Sequence, residues 1–416
     1  MRRTLLPDLV LDAHGAWSGV GITIEDGSIV EVGPAKVGER LRRKALAPGF
    51  VNDHSHTFQR GLRGAVERLD PSRPLDDFWS WRERMYALAT ELSPDSLRKV
   101  SRRCYEEMLS AGYTSVTEFH YVHHRPDGTP YEDPNSLAKS VALAAEEAGI
   151  RLLLLPVAYA RGGLPRFRDP SAQAFLRRVD DLREWSGGRP LLEVGVAAHS
   201  VRAVPRGWLE EIGRYARRND LPLHIHADEQ PREIEVCQAE HEMRPVELLA
   251  QTGFLGPSTT IVHATHANER ELDLLSEHSA SVCACPTTEG NLGDGFVPAE
   301  GILERHVRLS VGSDSHVRID PFEELRELET NARRLSGRRN VLITGNGNSP
   351  TPYLLQTGWG RGGSQAGDPA DLIEIDLSHA SLAEVQTRDL PSALVFGSGS
   401  GVVARTWVDG RKVYAL

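Results

Sequence analysis

Hydrophobic and polar positions alternate with a period of two in Val20-Gly21-Ile22-Thr23-Ile24-Glu25, and after Asp26-Gly27 the chain turns apolar again in Ser28-Ile29-Val30. This is the pattern of a β-hairpin, with Asp-Gly supplying the turn. Similar short β-like pieces return near the other end, in Ala370-Asp371-Leu372-Ile373-Glu374-Ile375-Asp376 and in Thr406-Trp407-Val408-Asp409-Gly410-Arg411-Lys412-Val413. Chain ends commonly lie close together, so residues 1–47 and 369–416 are expected to form one small β-sandwich domain. Between them the pattern becomes strand, loop, helix, repeated. A first apolar run begins at Phe50 after the Pro48-Gly49 turn, and others cover 114–119, 152–158, 192–198, 223–227, 259–262, 281–285 and 309–313. Helical periodicity fills most gaps, for example at 95–111, 135–148 and 209–218. Strands alternating with helices in this way predict an α/β fold, a (β/α)8 TIM-like barrel over residues 48–368.

The 416 residues suffice for one large barrel plus a small domain, and 40% hydrophobic with 25% charged residues is ordinary for a globular chain. A net charge of −10 excludes nucleic acid as the main partner, because phosphate binding needs a concentrated basic surface. The start, Met1-Arg2-Arg3-Thr4-Leu5-Leu6-Pro7-Asp8, lacks an apolar signal core. No apolar run approaches the roughly 20 residues of a membrane helix, so no membrane partner is expected. Cys104, Cys237, Cys283 and Cys285 are too sparse for a disulfide scaffold and read as reduced thiols. A cytoplasmic location is therefore expected.

In such barrels the chemistry sits where strands end. Those ends carry His54 and His56; Glu118, His120 and Tyr121; His199 and Arg202; His224, His226 and Glu229; His263 and His266; and Asp314 and His316. In Asn52-Asp53-His54-Ser55-His56, residues two apart on a strand share a side, so His54 and His56 converge as half of a metal site. His226, deeper into its loop than His224, is the third ligand, with His224 left as a structural group bonding a backbone carbonyl. Asp314 completes three nitrogens and one oxygen, while Asp320 ahead of Pro321 is the better helix cap. The lysines are Lys36, Lys44, Lys99, Lys139 and Lys412, so no carboxylated lysine from the later strands can bridge two ions. One zinc with an open position is the expected cofactor. Glu229 is placed to take a proton from a metal-activated water without being a ligand. His263 either orients that water and stabilises an oxyanion or serves as a further nitrogen ligand.

Other features read more simply. Cys283 and Cys285 alternate on an apolar strand and are expected to be packing residues. His120, His123 and His124 are expected in a loop lining the pocket, and Asn291 to Gly295 in a loop shaping it.

The segments His54-Ser55-His56-Thr57-Phe58-Gln59-Arg60, Phe78-Trp79-Ser80-Trp81-Arg82-Glu83, Glu118-Phe119-His120-Tyr121-Val122-His123-His124, His199-Ser200-Val201-Arg202-Ala203-Val204, His224-Ile225-His226-Ala227-Asp228-Glu229-Gln230, Val262-His263-Ala264-Thr265-His266-Ala267, Thr288-Glu289-Gly290-Asn291-Leu292-Gly293-Asp294-Gly295 and Gly312-Ser313-Asp314-Ser315-His316 together resemble the amidohydrolase superfamily, in detail its N-formimino-L-glutamate deiminases. The resemblance covers most of the barrel. It implies that His54, His56, His226 and Asp314 hold one zinc, with Glu229, His263 and Asp314 catalytic. It also implies that Gln59, Tyr121, His199 and Arg202 contact a small dicarboxylate substrate, whose formimino group is hydrolysed to a formyl group and ammonia. Arg82, in a Trp-rich stretch that reads as a loop, is a further candidate for that contact, or else stacks on Trp79 or Trp81. A homodimer is expected. Two departures stand out: Asp228 where a small or apolar residue is expected, and a short segment after Tyr353 leading into Gly358-Trp359-Gly360-Arg361-Gly362-Gly363. The competing readings are a deaminase of a purine-like or pyrimidine-like ring amidine, which needs an aromatic pocket, and a barrel that serves as a non-catalytic scaffold.

Overall fold

The computed structural model of the chain describes residues 2–13, 15–69, 76–359 and 365–416. Eight parallel strands form the barrel: β1 Phe50–Ser55, β2 Tyr113–His120, β3 Arg151–Ala158, β4 Val196–Ser200, β5 Leu223–Ala227, β6 Thr259–His263, β7 Ser281–Ala284 and β8 Arg308–Val311. Each pairs with the next in chain order, and helices make the crossovers that parallel neighbours require. The helix Pro94–Ala111 shows the local logic: Ser93 caps it, Pro94 opens it, and Gly112 ends it in the left-handed conformation at φ 99°.

The ring closes between its first and last strands at a single bridge, Ser55 to Asp314. Two main-chain bonds make that seam, His56 N to Asp314 O at 3.1 Å and Asp314 N to His54 O at 3.0 Å. The approach is close because Gly312 has no side chain. A Cβ there would lie 2.7–2.8 Å from the Cβ, N and O of His54.

Both termini build one eight-stranded mixed sheet, the small sandwich domain expected from the two ends. Leu372–Asp376 runs antiparallel to Glu39–Pro48, so the two ends of the chain meet edge to edge. Period-two alternation sorts the residues. Leu46, Leu372 and Trp407 join Leu5, Val10, Ile22 and Ile24 in a core of the domain's own. Ala45, Ala47, Ile373, Ile375 and Val403 face the other way and merge with the barrel core. Arg151 on β3 fixes the join through a bidentate pair with Asp371, at 2.8 and 3.2 Å. The Asp26-Gly27 turn links Val20–Glu25 to Ser28–Pro34 as an antiparallel hairpin, both turn residues having positive φ.

Several elements differ from the sequence expectation. The run at 192–198 is two strands, Leu192–Val194 and β4. The chain changes partner at the break: Gly195 N still bonds Leu154 O on β3, while Val196 N bonds Pro222 O beside β5. The aromatic stretch before residue 90 is a helix, Phe78–Thr90, whose N-cap Asp77 accepts from Trp79 N and Ser80 N at 2.9 and 3.0 Å. Asn291 and Leu292 end a helix, Pro286–Leu292, instead of opening a loop. After Tyr353 the helix Thr351–Trp359 continues to Trp359, and Gly360 to Gly363 lie outside the described residues. Among those residues no helix is long and apolar enough to cross a membrane.

Replacing Gly312 with alanine forces β1 and β8 apart at the seam. Overpacking of this kind costs about 1–3 kcal/mol. Urea unfolding of G312A is expected to show that loss, with reduced metal retention on dialysis because His54 moves with β1.

Candidate active site

The ligand candidates meet at the C-terminal mouth of the barrel. His54 Nε2 lies 3.0 Å from His226 Nε2, and Asp314 Oδ1 lies 3.4 Å from both His54 Nε2 and His56 Nε2. All four side chains are buried. His56 Nδ1 is 2.8 Å from the Phe119 carbonyl, which can only accept. The proton therefore sits on Nδ1, leaving the Nε2 lone pair aimed at the centre.

Electrostatics sorts these groups. Burial holds His54 down to about 3 and drives His226 well below its ordinary value, so both imidazoles are neutral. Burial alone would raise Asp314, but its contact with His54 and the nearby imidazoles hold it below the usual carboxylate range. Neutral nitrogens facing an ionised carboxylate across a buried space suit a divalent cation. Three nitrogens and one oxygen are a donor set that zinc accepts. His263 also places a nitrogen within 4.8 Å of donor atoms on His54 and His226, so the geometry serves either of its expected roles.

Glu229 and His263 stand beside this centre, with Oε1 and Nε2 3.6 Å apart. Burial chiefly raises Glu229, opposed by His263 and Arg202. Burial would lower His263, but Glu229 and Glu289 raise it above its ordinary value. Glu289 Oε1 holds His263 Nδ1 at 3.4 Å and accepts from Cys285 N at 2.8 Å. Asp228, His263, Ala264, Asp314 and His316 all have positive φ, between 43° and 75°. Without glycine's freedom, this concentration marks a mouth where backbone comfort yields to side-chain placement.

The cavity above is lined by His56, Gln59, Arg82, Tyr121, His199 and Arg202, with Phe78, Trp81, Tyr86, Tyr159 and Phe167 as aromatic wall. Gln59 Nε2 donates to Tyr121 Oη at 2.9 Å, and Gln59 Oε1 is left without a partner. Arg82 combines its two expected placements: it lines the cavity and stacks 4.4 Å above Trp79. Trp79 also receives Arg232 at 5.0 Å and Arg202 at 5.5 Å. Arg202 Nε lies 3.7 Å from buried Glu233.

Behind the His-x-His strand, Glu118 accepts from Ser55 Oγ at 2.5 Å and from Thr57 N and Oγ1 at 2.9 Å. Ser55 in turn touches His316 at 3.0 Å, and Ser313 Oγ, also on His316, accepts from Asn52 Nδ2 at 2.7 Å. This network braces β1 against the loop after β8.

Some expectations need correction. His224 has no carbonyl for its Nδ1; it lines a well at the opposite mouth with Asp53, Arg308 and Ser310. His120, His123 and His124 do not line the cavity. They are buried behind it, with the His123 and His124 amides bonded to Arg166 O, and they form no metal-binding group among the described residues. Sequence reasoning gave no role to Arg232, Arg244 or Glu289. Glu289 stood in a quoted motif, whereas nothing marked the two arginines.

Arg244 accommodates the unusual Asp228. Its guanidinium bonds Glu271 at 2.7 Å and His266 O at 2.6 Å and stands 3.5 Å from Asp228. Asp228 O accepts from His266 N at 2.9 Å. The loops bearing Glu229 and His263 are thereby tied together.

A model of the amidohydrolase family matches residues 45–349. The chain is 38% identical over 415 residues to a formimidoylglutamate deiminase of Pseudomonas aeruginosa, covering 93% of this chain and 89% of the other. It is 28% identical over 404 residues to a 5-methylthioadenosine/S-adenosylhomocysteine deaminase of Natronomonas pharaonis, covering 94% and 86%. Among solved structures, an amidohydrolase from Brucella melitensis superposes with a TM-score of 0.90 at 34% identity, covering 99% of this chain and 94% of that one. An adenosine deaminase from Xanthomonas campestris with bound zinc shares the fold, with a TM-score of 0.85 at 22% identity over 98% and 92% of the two chains.

Replacing Arg244 with leucine leaves Asp228 and Glu271 buried without their cation, which costs about 3–5 kcal/mol when one partner of a buried pair is lost. Asp228→Ala is expected to cost far less, since Arg244 keeps Glu271. Chemical unfolding of the two variants checks the order.

Proposed function

Because the chain belongs to the amidohydrolase family, we propose that it hydrolyses the formimino group of N-formimino-L-glutamate to N-formyl-L-glutamate and ammonia, with one zinc per chain. The observation that carries this reading is the convergence of the donor set His54, His56, His226 and Asp314 at a cavity whose lining includes Arg82 and Arg202. An amidine bearing two carboxylates needs both, and a guanidinium binds a carboxylate through paired hydrogen bonds. The identity to the Pseudomonas deiminase supports the same substrate. In this reading the protein serves histidine breakdown in the cytoplasm as a homodimer, with no nucleic-acid or membrane partner.

Zinc in the centre supplies a Lewis acid that lowers the pKa of a water towards about 7. Arg202 and Arg82 hold the carboxylates, while Gln59, Tyr121 and His199 orient the chain between them and the amidine. That fixes the formimino carbon above Asp314 and beside Glu229. Glu229, raised by burial, takes a proton from the attacking water and delivers it to the departing nitrogen. His263, 3.6 Å from Glu229, stabilises charge on the oxygen. One water is consumed and one ammonia leaves.

A ring-amidine deaminase is the second reading, favoured by the aromatic wall and by the nucleoside deaminases among the relatives. A neutral ring, however, brings no carboxylate for Arg82 and Arg202, the latter already 3.7 Å from Glu233.

Ammonia release measured across amidines decides between them. N-formimino-L-glutamate is expected as the preferred substrate, and preference for a nucleobase or nucleoside ends the proposal. Glu229→Gln is expected to lower kcat about 10²–10⁴-fold with metal retained, whereas Arg202→Met raises KM with a smaller effect on kcat. Loss of metal in both variants contradicts these roles.

A further inference from the structure

Asp314 belongs to two groups of donors. One contains His54 and His56; the other contains His263 and Cys285, whose ligand atoms all lie within 4.8 Å of one another and of Asp314. The second group draws on the ends of three neighbouring barrel strands, β6, β7 and β8, and each member is buried. Cys283, within β7 while Cys285 lies just past its end, enters no such group among the described residues. Cys285 therefore stands apart from its neighbour by reaching the level of the metal centre. Glu289 holds the arrangement, accepting from Cys285 N at 2.8 Å and meeting His263 Nδ1 at 3.4 Å.

We propose that His263, Cys285 and Asp314 form a second, inhibitory cation site for a thiophilic divalent ion, zinc in excess or cadmium. The proposal rests on the one-ion reading of the centre given above. A thiolate with one imidazole and one carboxylate selects soft and borderline ions over magnesium or calcium. As the sulfur–metal bond forms, the thiol proton passes to solvent and nothing is oxidised or reduced. Asp314 has two oxygens, and a bridging carboxylate is a common device where ions sit about 3.5–4 Å apart. An ion here takes His263 away from Glu229, so turnover stops while the first ion stays in place.

The test adds cadmium to the holoenzyme loaded with one zinc, following bound metal per chain and the ultraviolet thiolate-to-cadmium charge-transfer absorption. The expected result is a second bound ion, appearance of the band, and a fall in ammonia release. Cys285→Ala is expected to keep one zinc and activity within about twofold, to lose the band, and to need about tenfold more cadmium for inhibition. Cys283→Ala is expected to behave as the wild type. Persistence of the band in Cys285→Ala overturns the proposal. So does one ion per chain in the wild type at saturating cadmium, a count that decides the matter even if the variant folds poorly. Metal count and absorption need no substrate, so an error in the proposed substrate leaves this test intact.

Discussion

The structure depends on the seam where the barrel closes. Other neighbouring strands share ladders, but β1 and the end of β8 are joined through the main chain of His54, His56 and Asp314 themselves. The two hydrogen bonds that close the ring also set the separation of three ligand candidates. Fold and site are thus held by the same atoms. The Asn52, Ser55, Glu118, Ser313 and His316 network lies against this seam, where a lost contact would loosen closure and coordination together.

Within the mouth, environment rather than residue type sets charge. Burial keeps His54 and His226 neutral, contact with His54 helps hold Asp314 ionised, and burial lifts Glu229 towards holding a proton. The three states are the ones hydrolysis at a metal requires, namely donors with free lone pairs, an anionic ligand and a proton carrier. Arg82, Arg202 and Arg232 gather around Trp79, whose flat ring face brings like charges close, with Glu233 3.7 Å from Arg202.

Much of this was legible along the chain, because period-two runs ending in histidines have few explanations other than a barrel with polar strand ends. The sequence pattern alone brings His54, His56, His226 and Asp314 together, and the fold places them so. What the pattern lacks is three-dimensional partnership. The break at Gly195 follows from a change of hydrogen-bonding neighbour, which local pattern does not encode. The helix Phe78–Thr90 reads as loop because its aromatic residues obscure amphipathic spacing, although the Asp77 cap is visible. His120, His123 and His124 look like pocket residues because nothing in the sequence marks the wall in front of them. Arg244 is intelligible only after Asp228 is known to be buried beside it.

The left-handed backbone at His263 and Asp314 has a cost in durability. Such conformations cost about 1–3 kcal/mol each in side-chain-bearing residues, and glycine would adopt them freely. Selection for heat resistance alone would therefore favour erasing the very side chains the mouth is built to present. At these two positions the strain falls on side chains that the proposed chemistry needs, so hardening this protein is better sought in the terminal sheet and the outer helices.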